Sequence, residues 1–329
     1  MTPGNSRARY RGRDSAVANI DWPEQLAVRI AHCYYNLGMT QQQIATDIGI
    51  SRARVIKLLT EARKRGLVSV QINSVLRENV QLAEQIAERW SLKSADVCLS
   101  HAADEHQLAS QIGAAAQAFV CPLLNDNMTI GLGWGITLNE LVGQLKPYPL
   151  RNVSVVSLLG SFTRRSTIAR FEATTALAAK LDAECLYLPA PIVCDSEQTR
   201  ELLMSQPLFQ DIRQKALNAD IAVVSIGGVD SSTIREAKMI SDEEYQSVMT
   251  EGVVGNFLGY FIDKNAQLVE HPLNQQVVGV PGDVFKRIPR RVMVSAGESK
   301  VGALRAVLEQ GLITDIIVDV ATANALLSS

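Results

Sequence analysis

Apolar positions change their spacing along the chain, and each change marks an element. From Trp22 onward they recur every three or four residues, the period of a helix with one buried face. The stretch Met39–Lys57 is the most explicit. Thr40 followed three residues later by Gln43 is a capping box, which predicts a short helix with Ile44, Ala45 and Ile48 facing inward. Gly49 then ends that helix, since glycine takes positive φ without a steric cost. Ser51 caps a second helix whose Val55, Leu58, Leu59 and Ala62 form a stripe, leaving Arg52, Arg54 and Lys57 on its other faces. After Gly66, Leu67–Ile72 alternates between apolar and polar residues, which predicts a wing strand.

Between Asn73 and Trp90, Leu76, Val80, Ala83, Ala87 and Trp90 fall on one stripe, as a linker helix requires. Beyond Asp96 the pattern becomes short apolar runs between amphipathic or Ala-rich stretches. The runs are Val153–Leu159, Cys185–Leu188, Ile221–Ile226, Val277–Val280, Arg291–Ser295 and Ile316–Asp319, with Ala-rich helices at 168–181 and 297–310. Most runs lack a polar alternate, as do strands covered on both faces, so a parallel, doubly wound sheet is expected. The expected fold class is thus α/β: an N-terminal all-α helix-turn-helix, winged if the strand after Gly66 forms, a linker helix and a C-terminal doubly wound, Rossmann-like domain. The expected boundaries are a basic, flexible arm at 1–19, a basic helical module at 20–72, the linker at 73–95 and the α/β domain at 96–329.

Composition adds limits. With 329 residues, 47% of them hydrophobic, the chain can bury two cores. Its net charge of -2 means that any nucleic-acid contact must come from a local basic face. No apolar run reaches the roughly 20 residues a membrane span needs, and the Arg-rich start lacks the apolar segment of a secretory leader, so a soluble cytoplasmic protein is expected. The five cysteines are widely spaced with no paired motif, and the four histidines show no ligand spacing. Neither a disulfide framework nor a metal is expected, and no cofactor.

Two constellations carry chemistry. A capped helix, a glycine turn and a second helix with basic residues in its first two turns is an arrangement that enters the major groove of double-stranded DNA. The candidate DNA-binding residues are Thr40, Gln41, Ser51, Arg52, Arg54 and Lys57. Further on, Gly131, Gly133 and Gly135 alternate after a short apolar strand and precede a helix starting near Thr137. Tight backbone there, with Trp134 and the Thr137 hydroxyl, suits a phosphate or a polar sugar end at a helix N-terminus. Strand-to-helix turns also use glycine for geometry alone, and no dinucleotide fingerprint is present.

The segment Met39–Ile72 resembles the SorC family of bacterial transcriptional regulators, and the resemblance extends from about Trp22 to Leu327. It implies a sugar-isomerase-like effector domain that binds a sugar, polyol or sugar phosphate, and a homo-oligomer, usually a tetramer, acting on an operator near sugar-catabolic genes. Three further loops look like the family's ligand-lining segments. One carries Ser161, Thr163 and Arg164, another Asn256 and Phe257, and the third Lys300, the candidate for neutralising a phosphate. Many relatives have Asp where this chain has Asn256 and Arg where it has Tyr260, and Asn256 can donate as well as accept, which admits a neutral, hydroxyl-rich ligand. The expected function is a carbohydrate-responsive transcriptional regulator without enzymatic activity. The alternative is a sugar-phosphate isomerase-like enzyme with a DNA-binding anchor, against which stands the absence of an evident base and electrophile in the glycine-rich loops.

Overall fold

The structure, a computed structural model, describes residues 22–68, 76–100, 102, 104–161, 173–229 and 233–328. The expected arm lies outside the described residues, as does most of the expected wing strand. The chain divides into two compact units, 1–74 and 75–329.

In the smaller unit α1 (Trp22–Tyr35), α2 (Gln41–Ile48) and α3 (Arg52–Lys64) surround a core of Ile30, Ile44, Val55, Leu59 and Ala62. The local signals act as their chemistry demands. Thr40 Oγ1 accepts the Gln43 N–H at 3.2 Å while the Thr40 N–H donates to Gln43 Oε1 at 2.8 Å, closing the capping box. Gly49 closes α2 at φ 77°, where its N–H reaches the Ala45 carbonyl. Ser51 Oγ then accepts the Arg54 N–H and starts α3. Each large apolar side chain sunk in this core adds about 1.5–3 kcal/mol relative to exposure, which is what holds so short a helix pair together.

The larger unit opens with α4 (Arg77–Arg89). Ile86 is buried in the unit's core with Leu82, Ala83 and Trp90 packed beside it, and Asn79 Nδ2 donates to the Val97 carbonyl at 2.9 Å. The helix read as a linker is therefore part of this unit's body. A seven-stranded sheet follows, built from β1 (Ser94–Cys98), β2 (Thr129–Leu132), β3 (Ser154–Ser161), β4 (Glu184–Pro191), β5 (Ile221–Val224), β9 (Arg290–Val294) and β10 (Asp315–Asp319). Its order is β1-β10-β9-β5-β2-β3-β4 and every pairing is parallel. Alternate residues feed two cores. Val155, Ile221, Val223, Val292 and Ile317 face one, and Val156, Ala222, Val224, Met293 and Val318 face the other. Burial on both faces is why these strands read as unbroken apolar runs.

A small antiparallel sheet of β6 (Ile226–Gly227), β7 (Gly255–Phe257) and β8 (Tyr260–Ile262) sits beyond β5. Two expectations need correction. Val277–Val280 forms only isolated bridges, Val193 to Val277 and Leu159 to Gly279, so this run is apolar because it is buried and not because it is a strand. In the other direction β1 forms over Ser94–Cys98 although no apolar run marked it in the sequence, because Ser94 and Asp96 interrupt its apolar residues.

Candidate functional site

The strand order reverses beside β2: β3 and β4 are laid down on one side of it and β5 on the other. In open parallel sheets, that reversal leaves a crevice at the carboxyl ends of the flanking strands. Here a pocket occupies it, lined by Trp134, Gly135, Ile136 and Thr137 after β2, and by Ser225, Ile226 and Gly227 after β5. Glu105, Ala109, Asn256 and Lys300 complete the wall.

Each side chain reaches the pocket for a local reason. Gly135 stands at φ 129°, a conformation closed to other residues, and starts α6 (Ile136–Gln144) without a side-chain cap. Thr137, in the first turn of α6, is 5% exposed. Glu105 opens α5 (Glu105–Val120), which Asp104 caps by accepting the Gln107 N–H at 2.8 Å. Asn256 pairs with Gly227 across the small sheet. It is 6% exposed, and its Nδ2 has no hydrogen-bond partner among the described residues. Lys300 ends a turn of 3-10 helix, Glu298–Lys300, that presses on the small sheet's approach: a Cβ on Gly228 would lie 2.4 Å from the Ser299 carbonyl oxygen.

Of the residues expected to meet a ligand, the structure brings together Trp134, Gly135, Thr137, Asn256 and Lys300. Four others are elsewhere. Gly131 is inside β2, where a Cβ would meet Leu158 Cδ2 at 2.8 Å, so its smallness serves packing. Gly133 gives its N–H to the Val223 carbonyl at 2.9 Å and so offers none to an anion. Phe257 follows Asn256 in β7 and points to the opposite face, edge-on to Phe285 at 5.3 Å between ring centres. Ser161 closes β3 with its hydroxyl donated to the Leu188 carbonyl at 3.0 Å. Thr163 and Arg164 lie outside the described residues. Glu105, Ser225 and Gly227 were not anticipated, since no local motif marks residues that converge only through the sheet.

The second candidate surface is α3. Arg52, Arg54 and Lys57 are all exposed, opposite the buried Val55, Leu58 and Leu59. Arg52 Nε approaches Gln41 Oε1 at 3.4 Å, and Lys57 lies 4.0 Å from Glu61. The hydroxyls of Thr40 and Ser51 are engaged in capping, so these two residues shape the turn.

Among the described residues no group of three or more His, Cys, Asp or Glu is arranged to hold a metal ion, and no helix is long and apolar enough to cross a membrane.

Comparison with known proteins bears on both surfaces. The family model Sugar-bind, "Putative sugar-binding domain", matches residues 74–328. The chain is 30% identical to the transcriptional regulator LsrR of Escherichia coli K12, over 96% of this chain and 99% of that protein. To LsrR of Klebsiella pneumoniae it is 29% identical, over 93% of each. The fold is similar to the full-length sorbitol operon regulator SorC from Klebsiella pneumoniae, with a TM-score of 0.69 and 28% identity over 92% of this chain and 98% of that one.

Proposed function

The chain belongs to the SorC family of sugar-responsive transcriptional regulators, and from that premise we propose that α3 reads an operator while the pocket beside β2 and β5 holds the effector. The observation that carries the reading is the division of α3 into two faces. Three basic side chains are exposed on the faces that would enter a major groove while the stripe of Val55, Leu58 and Leu59 anchors the helix in its unit. Arg52 and Arg54 are the base-reading candidates, Lys57 a phosphate contact, and Gln41 orients Arg52 from the start of α2.

Effector binding alters operator affinity by linkage. The ligand binds one arrangement of the assembly more tightly, and that arrangement sets whether paired helix-turn-helix modules match two half-sites. The active form is a homo-oligomer, a tetramer by likeness to the family, working in the cytoplasm where its operator is. The pocket is read as a binding site without turnover, since the relatives reported above are named as regulators. Isomerised product from pentose or hexose phosphates incubated with the pure protein would reverse that assignment.

Selection from a random duplex pool tests the regulator reading. The expected product is an enriched sequence with two half-sites a whole number of helical turns apart, whose binding changes when a sugar or sugar phosphate is added. A pool that shows no enrichment over random DNA sinks it.

A further inference from the structure

The buried stripe of α3 takes up Val55, Leu58, Leu59 and Ala62, and Ile56 is the one large apolar side chain of the helix left outside it, 42% exposed. A single exposed apolar residue is ordinary on a protein surface. Its neighbours make this one different. At about 3.6 residues per turn, Ala53, Ile56, Lys57 and Thr60 share the side of α3 turned away from the stripe, with Arg52 and Arg54 on its two flanks. Ala53 is exposed and has only a methyl group to offer. Thr60 is exposed as well, but its Oγ1 donates to the Ile56 carbonyl at 2.9 Å, which engages the hydroxyl and leaves the methyl group for outside contact. The outer face of α3 is thus a short apolar strip within a basic surround. Charge alone would hold any duplex, because phosphates carry no sequence, and an apolar strip gains nothing from them. The apolar group that the major groove does present is the 5-methyl of thymine, which helps to separate an A·T pair from the other arrangements.

We propose that Ile56 is a specificity-determining residue of the operator contact, packing on the 5-methyl group of a thymine in each half-site with Ala53 and Thr60 beside it. The contact presupposes that α3 is the operator-reading helix, and it is one that the basic residues of α3 cannot make. Guanidinium and ammonium groups are donors that read acceptor atoms on the base edges, and a methyl group offers none. Ile56 also branches at Cβ and keeps a strongly preferred χ1 in a helix, so it presents a fixed surface at little cost in lost freedom.

The test uses the full chain and the duplex enriched from the random pool, with each thymine of a half-site replaced in turn by deoxyuridine. That replacement keeps the pairing and the O4 acceptor and removes only the methyl group. In an anisotropy titration at fixed salt, wild-type protein is expected to lose affinity about fourfold at one thymine of the half-site, the worth of one buried methyl group. Ile56→Ala should bind the parent duplex and that substituted duplex alike, and Ile56→Val should keep part of the difference. Because Ile56 is exposed, both variants should melt with wild type and keep its mass in light scattering. Wild-type protein that binds every deoxyuridine duplex as tightly as the parent overturns the proposal. So does Ile56→Ala protein that still tells thymine from deoxyuridine, since the methyl contact then belongs to another residue. A lowered Tm or an altered mass in both variants overturns it as well, by making Ile56 a packing residue within the unit or between copies. A pool without an enriched duplex removes the regulator reading and this contact with it, whereas an enriched duplex indifferent to every methyl group removes this contact alone.

Discussion

At the scale of single residues, position on an element decides what a side chain can do. Arg54 lies in the first turn of α3 with its side chain exposed and its N–H held by Ser51 Oγ, so its guanidinium is free for a bidentate contact to a guanine edge. Replacing Arg54 with Ala should weaken operator binding by about 1–3 kcal/mol, roughly ten- to a hundredfold, in an anisotropy titration at fixed salt. Unchanged affinity would withdraw the base-reading role from it. The same logic separates Asn256 from Phe257, one in the pocket and its neighbour in the core, because strand side chains alternate. That alternation is invisible in a glycine-rich segment read as a loop, because only the pairing of β7 with β6 and β8 makes it a strand. Ser225 and Gly227 had no signal at all, being ordinary residues that acquire meaning only where β5 runs out beside β2.

At the scale of elements, the parts legible from sequence are those whose determinants are local. The capping box at Thr40 and Gln43, Gly49 and the Ser51 cap all lie within twelve consecutive residues and act on backbone groups next to them, so α2 and α3 could be placed before any tertiary contact was known. The edge strand β1 is the opposite case, formed by its register with β10 rather than by its own composition. It carries a testable consequence at Asp96. Burial pushes the Asp96 carboxyl up, and a hydrogen bond from the Val97 backbone only partly offsets it. With the folded value above the unfolded one, near 4 in ordinary peptides, the neutral acid is the form the fold prefers. The associated stability is therefore full at low pH and is lost as pH rises through the folded value. Asp96→Asn is uncharged throughout, so it should melt at a higher temperature than wild type at pH 7 and show no such gain at pH 4. An advantage of equal size at both pH values would mean that the effect is packing and not ionisation.

At the scale of the whole molecule, a regulator needs its two binding events to be worth something to each other. If the effector changes operator affinity by some factor, the operator must change effector affinity by the same factor, because both routes join the same end states. Coupling of this kind is typically about 1–3 kcal/mol, on the order of 5- to 150-fold. A ligand seated at the sheet's switch point acquires such leverage only by preferring one arrangement of the protein, since equal affinity for both arrangements shifts nothing however tight the binding. Calorimetric titration of the ligand with and without saturating operator duplex should therefore show a displaced dissociation constant, and anisotropy titration of the duplex with and without saturating ligand a displacement of equal size. If the ligand's affinity does not change when operator is bound, the pocket and α3 are not linked, and the sugar response must arise from a site other than the crevice between β2 and β5.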